Sequence, residues 1–235
     1  MIPKKSFGQN FLHNQSILSF ISNDLEQGET ALEIGGGTGN LTSKLLERHP
    51  KRLFVIELEN EAFRTLEQKF SGYKNVELFK GDFLKLGPFK VDKIFGNVPY
   101  YISSDIVFRL KDWDFKKAYL MLQKEFAEKM VAHPRESNYG RLSVTSQLSF
   151  KMKLLKIVKK TSFYPIPKVD SAIIELQNIG FSMNKEQEDL IRKMFSIKNR
   201  KLRHSLGDML KGNPLENKRP RELTLDEVKE IINLK

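Results

Sequence analysis

The sequence contains no cysteine, which excludes disulfides, thiolate zinc sites, iron–sulfur clusters and cysteine nucleophiles together. Its four histidines (His13, His49, His133 and His204) form no H-x-x-x-H or H-x-E pattern, so no metal is expected. No apolar run approaches the roughly 18 residues of a membrane-spanning helix. The opening Met1-Ile2-Pro3-Lys4-Lys5 is followed by no apolar signal core. A soluble, cytoplasmic protein is expected. Acidic residues are scarce in two stretches. Between Ser137 and Val169 there is none, against seven basic residues, and ten basic residues from Arg192 to Arg221 face only Asp208 and Glu216. There is no internal repeat and no low-complexity tract.

What is present suits a folded domain. The 235 residues are 40% hydrophobic and include 17 phenylalanines, enough for a core, which excludes disorder as the main state. The 40 basic and 29 acidic residues leave a net charge of +11. That excess points to a polyanionic partner, nucleic acid first and an anionic membrane second, and the two acid-poor stretches favour a phosphate-binding surface over a merely solvated one. Charge alone says nothing about chemistry.

Short strand-type runs alternate with helical stretches, the pattern of a parallel α/β sheet. Strands are predicted at Thr30–Ile34, Leu53–Glu57, Val76–Lys80, Lys93–Gly96, Ala118–Leu122, about Met152–Lys159, and Ala172–Leu176. Helices are predicted between them at about Gln15–Leu25, Asn40–Glu47, Glu59–Phe70, Ser103–Leu110 and Glu125–Ala132. Beyond Gln177 the strands stop and three helical segments follow, at about Lys185–Phe195, Lys201–Leu210 and Thr224–Ile232. A boundary is therefore expected near Asn178, dividing a domain over 1–178 from a small helical domain over 179–235.

Three strand ends carry a cofactor-binding pattern. Glu33-Ile34-Gly35-Gly36-Gly37-Thr38-Gly39 follows a predicted strand and opens a helix, where glycine lets the backbone approach a ligand and helix amides point into the same space. The dinucleotide fingerprint G-x-G-x-x-G fits poorly, because Asn40 occupies the third glycine position. What remains, E-x-G-x-G-x-G, resembles the turn of class I methyltransferases that bind S-adenosylmethionine. Glu57 ends the second strand 22 positions after Gly35, where a carboxylate can accept ribose hydroxyls. An acid at the third strand end, Asp82, can accept an adenine amine, and its neighbour Phe83 can cover the ring.

The fourth strand ends in Phe95-Gly96-Asn97-Val98-Pro99-Tyr100. This resembles the N-[LIV]-P-[YF] motif of ribosomal RNA adenine N6-dimethyltransferases. The resemblance runs along most of the chain. Phe7-Gly8-Gln9-Asn10-Phe11-Leu12 looks like that family's N-terminal cofactor motif. Leu122–Phe126 and Tyr139–Val144 look like its middle, and Ser162–Ala172 is similar to its signature before the last strand. Asp105 stands where many relatives carry proline, Tyr101 replaces a more usual Asn or Gln, and the tail is short.

The resemblance implies a class I methyltransferase fold, with a seven-stranded, mostly parallel sheet whose last strand is antiparallel, plus a small C-terminal helical domain. It implies transfer of methyl groups from S-adenosylmethionine to N6 of two adjacent adenines near the 3′ end of small-subunit ribosomal RNA, in ribosome biogenesis. The implied partner is the small subunit or its precursor, with no membrane and a monomeric chain. Gln9, Asn10 and Leu12 would close over the cofactor beside Gly35, Gly37, Glu57, Asp82, Phe83 and Asn97. The amino nitrogen of adenine is a poor nucleophile, its lone pair being delocalised into the ring. Two acceptors on its hydrogens would turn that lone pair toward the methyl group. The Asn97 side-chain carbonyl and the backbone carbonyl of Val98 or Pro99 could supply them, with Pro99 fixing the backbone. Positioning of this kind can supply about 7–11 kcal/mol without a general base. Tyr100 would offer one ring face to the target base and Phe163 the other. Asp170 is read as ordering the turn before the last strand. The alternatives are a large-subunit enzyme of the macrolide-resistance type, a non-catalytic RNA-binding or transcription-factor paralogue, and a nicotinamide dehydrogenase. Intact Glu57, Asp82, Asn97 and Tyr100 weigh against the paralogue, and the missing third glycine against the dehydrogenase.

Overall fold

The computed structural model describes residues 10–181, 183–197 and 199–234. Nine strands are described, β1 (Phe11–Leu12), β2 (Thr30–Ile34), β3 (Arg52–Glu57), β4 (Val76–Lys80), β5 (Lys93–Asn97), β6 (Lys117–Gln123), β7 (Phe150–Val158), β8 (Phe163–Tyr164) and β9 (Ser171–Asn178). The α-helices are α1 (Gln15–Ser22), α2 (Asn40–Leu46), α3 (Asn60–Phe70), α4 (Ser103–Arg109), α5 (Lys124–Val131), α6 (Arg141–Ser149), α7 (Lys185–Phe195), α8 (Arg203–Leu206) and α9 (Leu225–Ile232).

Seven strands form one sheet in the order β4-β3-β2-β5-β6-β9-β7. The pairs from β4 through β6 are parallel, and β9 runs antiparallel to β6. Inner strands read as continuous apolar runs because both faces are covered: Ala118–Leu122 of β6 and Ala172–Leu176 of β9 are buried throughout, Glu175 included. Each flanking helix lends one face, as α3 does with Ala62, Leu66 and Phe70 at four-residue spacing. From β2 the chain winds outward to β4, then returns to add β5 on the other side of β2. This reversal opens a crevice above the carboxyl ends of β2 and β5, where ligands bind in open α/β sheets.

The chain divides into two compact units. One holds the residues up to Ala127 together with Lys153–Asn178, and the other holds Glu128–Met152 together with Ile179 onward. The second unit therefore takes in a central segment as well as the tail. Its own core joins Tyr139, Val144 and Leu148 to Ile191, Met194, Leu202 and Val228. The Tyr139 hydroxyl donates to the Leu223 carbonyl at 2.7 Å, and the Ser143 hydroxyl to the Lys129 carbonyl at 2.6 Å. The Tyr139–Val144 motif thus serves the framework of this unit. Helix α6 escapes sequence reading because it lacks an apolar stripe. Ser143, Ser146 and Ser149 are buried with Val144 and Leu148, so polar and apolar positions are inside alike.

At the amino ends of the strands, opposite the crevice, charged groups replace chemistry with stability. Lys93 is buried at the start of β5 between Asp24 (3.1 Å) and Glu29 (2.8 Å). Next to it, Asp92 accepts from the Thr30 N–H at 2.8 Å, the Thr30 hydroxyl at 2.7 Å and Lys116 at 2.9 Å. The Thr30 N–H, followed by Lys116, holds the Asp92 carboxyl down at about 2. A folded value below the unfolded one, near 4, gives stability that is complete above pH ~4 and lost as pH falls through about 2. Replacing Asp92 by Asn is expected to cost about 1 kcal/mol at pH 7, after allowance for its partial exposure. Denaturant titrations should show that deficit shrinking below pH 4; a pH-independent deficit would assign it to packing.

Candidate active site

The cleft is lined by the carboxyl ends of β2 through β5, and its wall is built residue by residue from the turns that follow them. After β2, Gly37 takes a positive φ of 55°, which an L side chain rarely adopts, and its N–H donates to Glu57 Oε2 at 2.9 Å. Gly36 is needed for a different reason. A Cβ there would lie 2.5 Å from Val55 Cγ1 and 2.8 Å from Leu66 Cδ1, in the packed seam between β3 and α3. The Gly35 N–H donates to the Ile56 carbonyl at 2.8 Å, so the turn is bolted to β3 by backbone as well as side chain.

Glu57, at the end of β3, is buried and uses both carboxylate oxygens. Oε2 receives Gly37, and Oε1 receives the Glu59 N–H at 2.8 Å. Its carbonyl accepts the Gly81 N–H at 3.0 Å, which ties in the turn after β4. In that turn Asp82 Oδ1 accepts the Leu84 N–H at 3.0 Å while the residue lines the cleft. Phe83 contributes to the same wall, its buried ring stacked on Trp113 at 5.1 Å between centroids. Behind the glycine turn, Glu33 is fully buried and receives the Thr42 hydroxyl at 2.6 Å. Burial pushes its carboxyl up to about 8, against the lowering effect of Thr42 and with the Glu57 charge adding to the rise.

Asn97 ends β5, and its Nδ2 donates to the Asn10 carbonyl at 2.8 Å. A carbonyl can only accept, so this bond fixes which way the amide faces, with Nδ2 toward Asn10 and Oδ1 as the acceptor atom of a side chain that lines the cleft. Pro99, at φ −56°, turns the chain into a short 3-10 segment at Tyr100–Ile102. The Pro99 carbonyl is already engaged by the Ile102 N–H at 3.2 Å and the Ser103 hydroxyl at 3.3 Å. The Tyr100 ring lines the cleft, with its hydroxyl 2.7 Å from Ser171 Oγ. Burial raises the Tyr100 phenol above its ordinary value.

Several expected residues stand elsewhere. Gln9 lies outside the described residues. Asn10 lines the cleft, but Leu12 does not: its side chain is in the core, and only its carbonyl is used, accepting Asn40 Nδ2 at 2.8 Å. Phe163 requires correction. It pairs with Leu12 across the β1–β8 ribbon, on the face turned into the core, and is 1% exposed, so its ring has no face free for a base. Its neighbour Tyr164, on the opposite face, is 64% exposed. Sequence reading also missed Asn40 and Phe11. Asn40 reads in the sequence only as a missing glycine, yet it and Asn97 together hold the Asn10–Leu12 segment by two hydrogen bonds from their side-chain amides. Phe11 lines the cleft and comes so close to Gly37 that a Cβ there would meet the ring at 3.2 Å.

Residues 3–233 match the family described as ribosomal RNA adenine dimethylase. The chain belongs to the ribosomal RNA adenine dimethylase family. Among relatives, it is 35% identical to the probable ribosomal RNA small subunit methyltransferase A of Thermococcus sibiricus, over 97% of this chain and 90% of that one. A solved dimethyladenosine transferase from Plasmodium falciparum aligns with a TM-score of 0.83 and 31% identity, covering 94% of this chain and 95% of that one. The 23S rRNA methyltransferase ErmE aligns at 0.75 and 25%, covering 95% and 98%. The fold is accordingly that of the Rossmann-like methyltransferases.

The position of Phe163 yields a test. Truncation of a buried phenylalanine costs about 3–5 kcal/mol. Phe163→Ala is expected to lower the unfolding free energy by that amount in urea titrations, with S-adenosylhomocysteine affinity of the folded fraction little changed. A variant as stable as the parent but defective in binding the target base would return Phe163 to the cleft.

Proposed function

We propose that this chain transfers methyl groups from S-adenosylmethionine to N6 of two adjacent adenines near the 3′ end of small-subunit ribosomal RNA, acting as a monomer on the small subunit or its precursor in the cytoplasm. The observation that carries the reading is the orientation of Asn97. Its amide nitrogen donates to the Asn10 carbonyl, which fixes the amide's orientation and makes Oδ1 the atom to accept a hydrogen from a substrate amine. Because the Pro99 carbonyl is occupied by Ile102 and Ser103, the second acceptor is the Val98 carbonyl, from a residue that also lines the cleft. Two acceptors on the amine draw its lone pair out of the adenine ring, and the proton that the amine sheds once its new C–N bond forms passes to solvent water, so neither acceptor has to hold it. The Tyr100 ring would stack on the base, an interaction worth about 1–3 kcal/mol.

The cleft suits S-adenosylmethionine by its donor set. Glu57 offers carboxylate oxygens for ribose hydroxyls, Asp82 an acceptor for an adenine amine, and Gly35 and Gly37 a backbone without side chains in the way. Bound there, S-adenosylmethionine supplies a methyl group activated by its sulfonium. The small-subunit choice is supported by the similarity to the Thermococcus relative, named a probable ribosomal RNA small subunit methyltransferase A, and by the better structural match to the dimethyladenosine transferase than to ErmE. Exposed cations suit an RNA partner. They include Lys151 and Lys153 on β7 in one stretch, and Arg200, Lys201 and Arg203 in the other.

The test is transfer of labelled methyl from S-adenosylmethionine to under-methylated small subunits, followed by mapping of the modified bases. Dimethyladenine at two neighbouring positions near the 3′ end is expected, and label confined to large-subunit RNA would favour the ErmE-like activity instead. Asn97→Ala is expected to lower the transfer rate at least 100-fold, about 2.7 kcal/mol, with S-adenosylhomocysteine affinity changed only a few-fold. Near-normal transfer by that variant would contradict the assigned role.

A further inference from the structure

The signature Ser162–Ala172 has so far lost its one expected chemical residue, since Phe163 is in the core. Its last residues nevertheless reach the cleft by another route. Ser171, the first residue of β9, is fully buried, and its hydroxyl lies 2.7 Å from the Tyr100 hydroxyl. Ser171 is itself held firmly. It pairs with Gln123 at the end of β6, and the preceding Asp170 carbonyl accepts the Lys124 N–H at 3.0 Å. The Asp170 carboxylate accepts the Lys160 N–H at 3.0 Å and the Lys159 ammonium at 3.1 Å, closing the loop that begins after β7. These bonds belong to the sheet framework, and Ser171 meets the cleft lining at Tyr100.

The Tyr100 ring is then fixed at both ends. Pro99 sets the backbone that carries it, and Ser171 holds the hydroxyl tip. A ring attached only at Cα can swing about two side-chain torsions, and a stacking partner must keep within about 10–20° of its productive plane. We propose that Ser171 is a positioning residue for methyl transfer, holding the Tyr100 ring in the plane that the target adenine must meet; this rests on the function proposed above. The buried serine that closes the Lys168-Val169-Asp170-Ser171 run thereby acquires a purpose that strand pairing alone does not give it. Any small residue could pair at that register, but alanine or glycine could not meet the phenol.

The test compares the full-length protein with Ser171→Ala, Tyr100→Phe and the double variant on under-methylated small subunits. Ser171→Ala is expected to lower kcat about 5- to 20-fold, with KM for the subunit and S-adenosylhomocysteine affinity within twofold of the parent. Because both single changes remove the same bond, the double variant should be no slower than the slower single one. With fluorinated tyrosine, the Tyr100 resonance should broaden in Ser171→Ala, reporting a ring no longer held. A kcat equal to the parent's, or losses that multiply in the double variant, would overturn the proposal. If Ser171→Ala does not fold, Tyr100→Phe carries the test from the other side of the bond, with the same expected loss and the same overturning result. A parent protein that transfers no methyl group to small-subunit RNA contradicts the proposed function itself. An active parent with an unaffected Ser171→Ala contradicts only the positioning role.

Discussion

The buried carboxylate of Glu57 is the joint on which the cleft depends. One oxygen holds the Gly37 N–H in the turn after β2, the other holds the Glu59 N–H at the start of α3, and the Glu57 carbonyl holds the Gly81 N–H after β4. Three separate strand ends are thus drawn to one residue. A carboxylate with two oxygens has about four lone-pair directions, so these bonds leave acceptor capacity for a ligand while removing the freedom of the groups that would surround it. The glycines have meaning in relation to this joint. Gly37 presents the N–H that Glu57 receives, and Gly36 allows the turn to sit against Val55 and Leu66 closely enough for it to do so.

A second joint lies across the crevice and works by the same economy of acceptors and donors. Asn97 and Asn40 each spend an amide N–H₂ on a carbonyl of the Asn10–Leu12 segment. The segment is held at the cleft, which Asn10 and Phe11 line, and under the proposed function the Asn97 oxygen is the atom that receives the base amine. Under that reading binding and catalysis are linked by geometry: the residue that anchors the Asn10–Leu12 segment is also the one whose orientation the chemistry needs. At the far end of the strands, Asp92, Thr30, Lys93 and their partners hold the sheet without sharing any group with the cleft. Stability and chemistry occupy opposite poles of one sheet, as expected where ligands bind at the carboxyl ends of parallel strands.

Much of this was legible in the sequence because local pattern and function coincide there. Strand β2 is followed at once by the glycine turn, and Glu57, Asp82 and Asn97 each close or follow a short apolar run, so finding the strands located the residues. The parts that stayed hidden depend on partners far away in the chain. Asn40 looks like a defect in a glycine pattern until its amide is seen on the Leu12 carbonyl, 28 residues away. A two-residue strand has no alternation to show which side faces inward, so nothing local distinguishes buried Phe163 from exposed Tyr164; pairing with β1 decides it. Helix α6 has no stripe because serines share its buried surface. The assignment of Glu128–Met152 to the second unit likewise follows from contacts with residues beyond Ile179, which no composition shift along the chain announces.

The proposed role of Glu57 is to organise a cleft in which the nucleoside of S-adenosylmethionine is held next to Asn97 and Tyr100. Its most direct test is a crystal structure of the protein with S-adenosylhomocysteine. Ribose hydroxyls are expected on the Glu57 carboxylate and the adenine amine at Asp82, with the Gly37–Glu57 bond still in place. A ligand seated elsewhere, or a Glu57 carboxylate turned away from the ribose to leave Gly37 unbonded, would contradict it.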